Sequence, residues 1–134
     1  MAKCVFCKIV KKELPCYVVF ENELIMSFLV RKPTANGHLV VIPKQHYENI
    51  FDTPDNILGE INKVCKQMSF LLKEKLGATG VNILNASGKD AQQSVFHIHY
   101  HVVPRSKDDG LDLWFHEESN NSDELKNVQD RLVS

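Results

Sequence analysis

The chain has 134 residues, 43% hydrophobic and 25% charged, the balance of one globular domain large enough to bury its own core. With 16 basic against 17 acidic side chains the formal net charge is −1, so no strong field draws nucleic acid or an anionic membrane. No apolar run approaches the roughly 18–20 residues of a bilayer span, and residues 1–15 lack the apolar segment of a secretion signal. The cytoplasm is therefore expected, with the four cysteines as thiols or metal ligands rather than disulfides.

Along the chain, the first dozen residues suit a short turn carrying Cys4 and Cys7. Residues 17–20 and 24–29 read as two strands, with Glu21, Asn22 and Glu23 as the hairpin turn between them. Residues 31–37, with Pro33 and Gly37, form a loop. Residues 38–42 make a β-branched strand closed by Pro43. A long helix follows: Thr53 is its expected N-cap, Pro54 its first position, and Asp55 suits its first turn. Its stripe runs through Ile57, Ile61, Val64, Met68 and Leu72 in steps of three and four, and Gly77 is the stop. Residues 81–84 should be a strand, 85–93 a polar loop, and 95–103 a longer strand ended by Pro104. A short tail helix is expected from Ser122, with Leu125, Val128 and Leu132 as its buried side. Hairpins plus one long helix favour an antiparallel sheet in an α+β fold.

Three of the six histidines fall within five residues, at His97, His99 and His101. On an extended strand they share one face, and Phe96, Ile98, Tyr100 and Val102 share the other, turned toward the long helix. Polar positions facing solvent are one reading of the row. A three-histidine metal site is another, although metal ligands usually arrive from separate segments. The third reading is chemical: a neutral imidazole has one donor and one acceptor nitrogen. The acceptor can attack phosphorus while flanking imidazoles donate to phosphoryl oxygens. The upstream loop from Asn85 to Ser94 offers further neutral donors, and its Ser87-Gly88-Lys89 lacks the spacing of a P-loop.

The run His97-Ile98-His99-Tyr100-His101-Val102-Val103 resembles the motif of the histidine triad family of nucleotide hydrolases and transferases. Gln93-Ser94-Val95-Phe96 before it strengthens the likeness, as do Gly37-His38-Leu39-Val40-Val41-Ile42-Pro43-Lys44, Cys4-Val5-Phe6-Cys7-Lys8-Ile9 and Asn85. The likeness covers about residues 4–105 of a single domain over 1–134, with 106–134 as a tail, and is strongest to the bacterial phosphoramidate-hydrolysing branch. It implies a five-stranded antiparallel sheet with helices on one face, paired as a homodimer. It implies His99 as nucleophile, His101 at the α-phosphate or leaving group, and His38 supporting the cluster. Asn85, Gln93 and Ser94 would contact phosphate and ribose. The retained third histidine, His101, implies water as the final acceptor. One position departs: where the family carries an acid for the ribose hydroxyls, this chain has Val30, followed by Arg31 and Lys32.

Cys4 and Cys7 form C-x₂-C, half of a tetrahedral zinc site, or simply two small apolar residues near a terminus. His46 lies just beyond a strand as a third ligand and His97 is the expected fourth, with His116 as a rival. Some bacterial members of the family resemble this Cys-Cys-His-His arrangement. Zinc held there would be structural, with all four positions filled. The resemblance thus implies a hydrolase acting next to an AMP- or GMP-type nucleoside monophosphate through a nucleotidyl-histidine. The alternative is a nucleotide-binding, zinc-stabilised dimer without catalysis.

Overall fold

The Asn22 side chain closes the first hairpin, its Oδ1 accepting the N–H groups of Leu24 (2.9 Å) and Ile25 (2.8 Å). It joins β1 (Val18–Glu21) to β2 (Ile25–Leu29) in a computed structural model that describes residues 3–117 and 122–134. Then come β3 (Leu39–Pro43), α2 (Asp55–Leu76), β4 (Gly80–Asn85) and β5 (Tyr100–Arg105), with α1 (Val5–Val10) before and α3 (Ser122–Val133) after them. The sheet order is β1-β2-β3-β5-β4 and every pairing is antiparallel, so β5 enters between β3 and β4. This is the expected α+β architecture. Among the described residues, no helix is long and apolar enough to cross a membrane.

Strand alternation divides the sheet into two cores. Ile25, Leu39, Val41, Ile98 and Val102 face α2, against Ile61, Val64, Cys65, Met68 and Leu72 of the expected stripe. Burying each such side chain contributes roughly 1.5–3 kcal/mol. Met26, Phe28, Val40 and Ile42 face the other way and meet Ile9, Phe6 and Val10 of α1. The helices therefore lie on both faces rather than on one, because all five residues of β3 are buried and need cover on each side.

Four local expectations are corrected. Pro54, not Thr53, is the N-cap of α2, and the Thr53 hydroxyl instead donates to the Asn49 carbonyl (2.6 Å), closing the turn before the helix. The last strand starts at Tyr100 rather than 95 and runs through Pro104 to Arg105. Pro104 is tolerated because β3 has ended alongside it and only β4 pairs there, at Val81. Phe96 is exposed rather than turned to the long helix. The tail helix forms, but Leu125, Val128 and Leu132 are 56%, 50% and 78% exposed, so its apolar side is not buried within this chain.

Two glycines carry the turns. Gly77 adopts the left-handed conformation that ends α2. Gly37 has φ of 99°, a backbone conformation that strains any other residue, so glycine lets this loop pass beneath the end of α2 and deliver His38.

Candidate active site and metal centre

The imidazoles gather on the α1 face. His101 stands opposite Val40 on β3, and Val40 belongs to the core beneath α1. His38 precedes β3 directly and lies beside His101, with ring centroids 5.1 Å apart. The His99 and His101 rings are also 5.1 Å apart, nearly perpendicular at 77°. Before Tyr100 the chain leaves the ladder: the Ile98 N–H bonds to the Tyr47 carbonyl (2.8 Å), outside the sheet. This bend sends the His97 ring toward α1 and His46, while His99 and His101 face a cavity.

Backbone groups fix where each proton sits. The Thr34 N–H donates to His38 Nδ1 (3.1 Å), so that nitrogen carries a lone pair and the His38 proton is on Nε2. His38 Nε2–H then donates to His101 Nδ1 (2.9 Å), which puts the His101 proton on its own Nε2. His99 Nδ1 lies 2.9 Å from the His97 carbonyl, which can only accept. His99 is therefore protonated at Nδ1 and carries its lone pair on Nε2. His97 Nε2–H donates to the Pro43 carbonyl (2.8 Å), leaving its Nδ1 lone pair toward the cysteines. The cluster holds a nucleophilic nitrogen on His99 beside a donor nitrogen on His101.

Burial keeps these rings neutral. It pushes His101 down to about 4, helped by the like-charge neighbours His99 and His38. Burial also lowers His38 and His99, and the His97 carbonyl only partly offsets this for His99. Near pH 7 the Nε2 lone pair of His99 needs no base to uncover it.

The loop residues divide. Asn85 Nδ2 donates to the His99 carbonyl (3.1 Å), and its Oδ1 accepts from the Ser87 hydroxyl (2.8 Å). Gln93 is buried, with its Oε1 on the Gly88 N–H (2.8 Å) and its Nε2 on the carbonyls of Glu48 (2.7 Å) and Val95 (3.0 Å). Both amides hold the backbone around the histidines. Ser94 is exposed and borders the cavity together with His99 and His101. The cavity holds about 330 Å³, and its wall is mainly apolar, with Phe6, Ile9, Phe28 and Val40 among the lining residues.

Cys4, Cys7, His46 and His97 converge, with one ligand atom of each lying within 4.8 Å of the others. Cys4 caps α1, its Sγ accepting the Cys7 N–H (3.3 Å). His97 Nδ1 is 3.4 Å from Cys4 Sγ and 3.6 Å from Cys7 Sγ, and His46 Nδ1 is 3.4 Å from Cys7 Sγ. A zinc tetrahedron with ordinary Zn–S and Zn–N bonds has an S···N edge of about 3.5 Å. The His97 lone pair already faces this point, so the donor set fits zinc in geometry and tautomer. Burial and the adjoining Cys4 push the Cys7 thiol up, a cost that a bound cation reverses.

Phe6 was given no role by its sequence position, yet it organises the site. Its ring meets His99 edge-on (5.2 Å, 89°), His97 (5.8 Å, 75°) and Phe28 (5.5 Å, 77°). Its place between the two cysteines was the available signal. The carbonyl of Pro43 and the N–H of Thr34 carried no side-chain signal at all.

Residues 11–108 match the HIT domain. An uncharacterized HIT-like protein of Borreliella burgdorferi is 46% identical over 113 residues, 83% of this chain and 81% of that protein. Adenosine 5′-monophosphoramidase HNT1 of Candida albicans is 35% identical over 137 residues, 98% of this chain and 90% of that enzyme. A crystal structure of a Zn-bound histidine triad family protein from Mycobacterium smegmatis superposes with a TM-score of 0.81 at 34% identity, covering 98% of this chain and 96% of that one. On the histidine row, the sheet that carries it and this extended match, the chain belongs to the HIT-domain family.

Proposed function

We propose that the chain is a nucleotide hydrolase that cleaves a P–N or phosphoanhydride bond next to a nucleoside monophosphate. The observation that carries this reading is the tautomer of His99, whose Nδ1–H is tied to a carbonyl, leaving the lone pair on Nε2 of a ring that borders the cavity. In the first step Nε2 bonds to the α-phosphorus and the bond to the leaving group breaks. A nitrogen leaving group takes up one proton from solvent as it departs. His101 Nε2–H donates to a phosphoryl oxygen or to the leaving atom, where charge accumulates. Water then attacks the phosphorus, gives one proton back to solvent, and restores the His99 lone pair. Ser94 reaches the phosphate from the cavity rim, while Asn85 and Gln93 serve by holding the loop and the His99 backbone. The phosphoramidase activity of the Candida relative supports a P–N substrate.

Rapid acid quench during turnover of an adenosine phosphoramidate should trap AMP covalently on the peptide containing His99, seen by mass spectrometry. An adduct on another residue would remove His99 as the nucleophile.

Cys4, Cys7, His46 and His97 would hold structural zinc, its four positions filled and its role confined to fixing α1 and His97. The thiols stay free for it in a reducing compartment, which supports the expected cytoplasmic setting.

A homodimer completes the reading. β4 is an edge strand with Ile83 and Leu84 partly exposed, and Phe70 of α2, 53% exposed, borders a cavity of about 460 Å³ beside it. Sedimentation velocity should return twice the chain mass, and a monomer at the concentrations used for assay would sink this part.

A further inference from the structure

Resting on the nucleotide reading, we infer that the cavity beside His99 accepts 2′-deoxyribonucleotides as readily as ribonucleotides, because among the described residues the wall beside the histidines offers no carboxylate or amide acceptor for a ribose diol. Vicinal hydroxyls are told from a deoxy sugar by acceptors that take their protons, and a buried charged acceptor makes the strongest such bond. Among the described residues, the lining contains no carboxylate and no amide side chain.

Position 30 decides this. The Val30 N–H bonds to the His38 carbonyl (3.0 Å), continuing the β2–β3 ladder, so Val30 sits across from the histidine that supports His101. Its side chain is half-buried and packs in the core beneath α1 with Phe28 and Val40. A sugar joined to a phosphate at His99 and His101 meets methyl groups at this wall.

The remaining polar groups do not replace the missing acceptor. Arg31 carries donors only; its Nη2 is spent on the Pro15 carbonyl (3.3 Å), and the side chain is exposed, where exchange with water leaves a hydrogen bond little net value. Cys16 offers a thiol, a weak acceptor, and burial keeps that thiol protonated by raising its pKa. Ser94 also borders the neighbouring depression beside Cys4 and His46, which places it at the metal end of the cavity. What the cavity does recognise is a flat apolar group: Phe6, Ile9, Phe28 and Val40 suit a nucleobase.

Calorimetric titration of the full chain with AMP and with dAMP tests this directly. The two dissociation constants should agree to within about fivefold. A larger preference for AMP overturns the inference, and so does failure of both to bind. Val30→Asp, checked for folding by circular dichroism, should shift the ratio toward AMP by about tenfold, the value of one charge-assisted hydrogen bond. Val30→Asn provides a neutral acceptor should the carboxylate prevent folding, and an unchanged ratio in the folded variant removes position 30 as the determinant. Binding of both nucleotides with no hydrolysis of their phosphoramidates would instead defeat the hydrolase reading and leave this inference standing.

Discussion

His99→Ala should abolish turnover, lowering kcat by about 10⁴-fold or more while AMP still binds within a few fold of the parent. A truncation here removes the bond-forming atom itself, so the loss falls on the chemical step rather than on affinity. The residue touches Phe6 and His101 edge-on, while the apolar wall suited to a base is made by Phe6, Ile9, Phe28 and Val40, which the substitution leaves in place. Steady-state kinetics with an adenosine phosphoramidate and separate calorimetry with AMP give the two readouts. Near-parental turnover in the alanine variant would remove His99 as the nucleophile. His101→Ala should lose less, because it removes a donor and leaves the nucleophile.

The second large effect concerns the metal centre. Cys7→Ser should lose stoichiometric zinc, measured by elemental analysis, and should melt well below the parent protein. Saturation at a thousand times the dissociation constant contributes about 4 kcal/mol. For a domain of this size that corresponds to ~10–15 °C in Tm. The effect should also reach His99, because its Nδ1–H bonds to the carbonyl of His97, itself one of the four proposed ligands. Nitrogen-15 shifts of the His99 ring should therefore move on zinc removal, a readout that needs no activity. Full zinc content in folded Cys7→Ser protein would exclude Cys7 as a ligand.

The sequence made the chemistry more legible than the local geometry. Period-two spacing placed Ile98, Tyr100 and Val102 against the long helix as the structure has them. It also carried the strand back to residue 95, where the chain instead bends and bonds to Tyr47. Alternation reports which side a residue faces and says nothing of whether a ladder partner is present. The C-x₂-C spacing led to His46 and His97, since few other residues could complete a tetrahedron. The backbone partners of Asn85 and Gln93 were not legible in the same way, because an amide in a polar loop announces a donor and an acceptor but not which main-chain groups they meet. For α3 the 3-4 spacing predicted a helix correctly but could not say that its apolar side stays exposed among the described residues.

The protons of His38, His97 and His99 are each set by a main-chain atom, at Thr34, Pro43 and His97, and that of His101 follows from His38. Peptide groups survive substitution of the side chains they carry. The protonation pattern of the cluster is thus insulated from mutation in the cavity wall, so substitution of a wall residue such as Val30 or Arg31 leaves the tautomers of the four imidazoles in place.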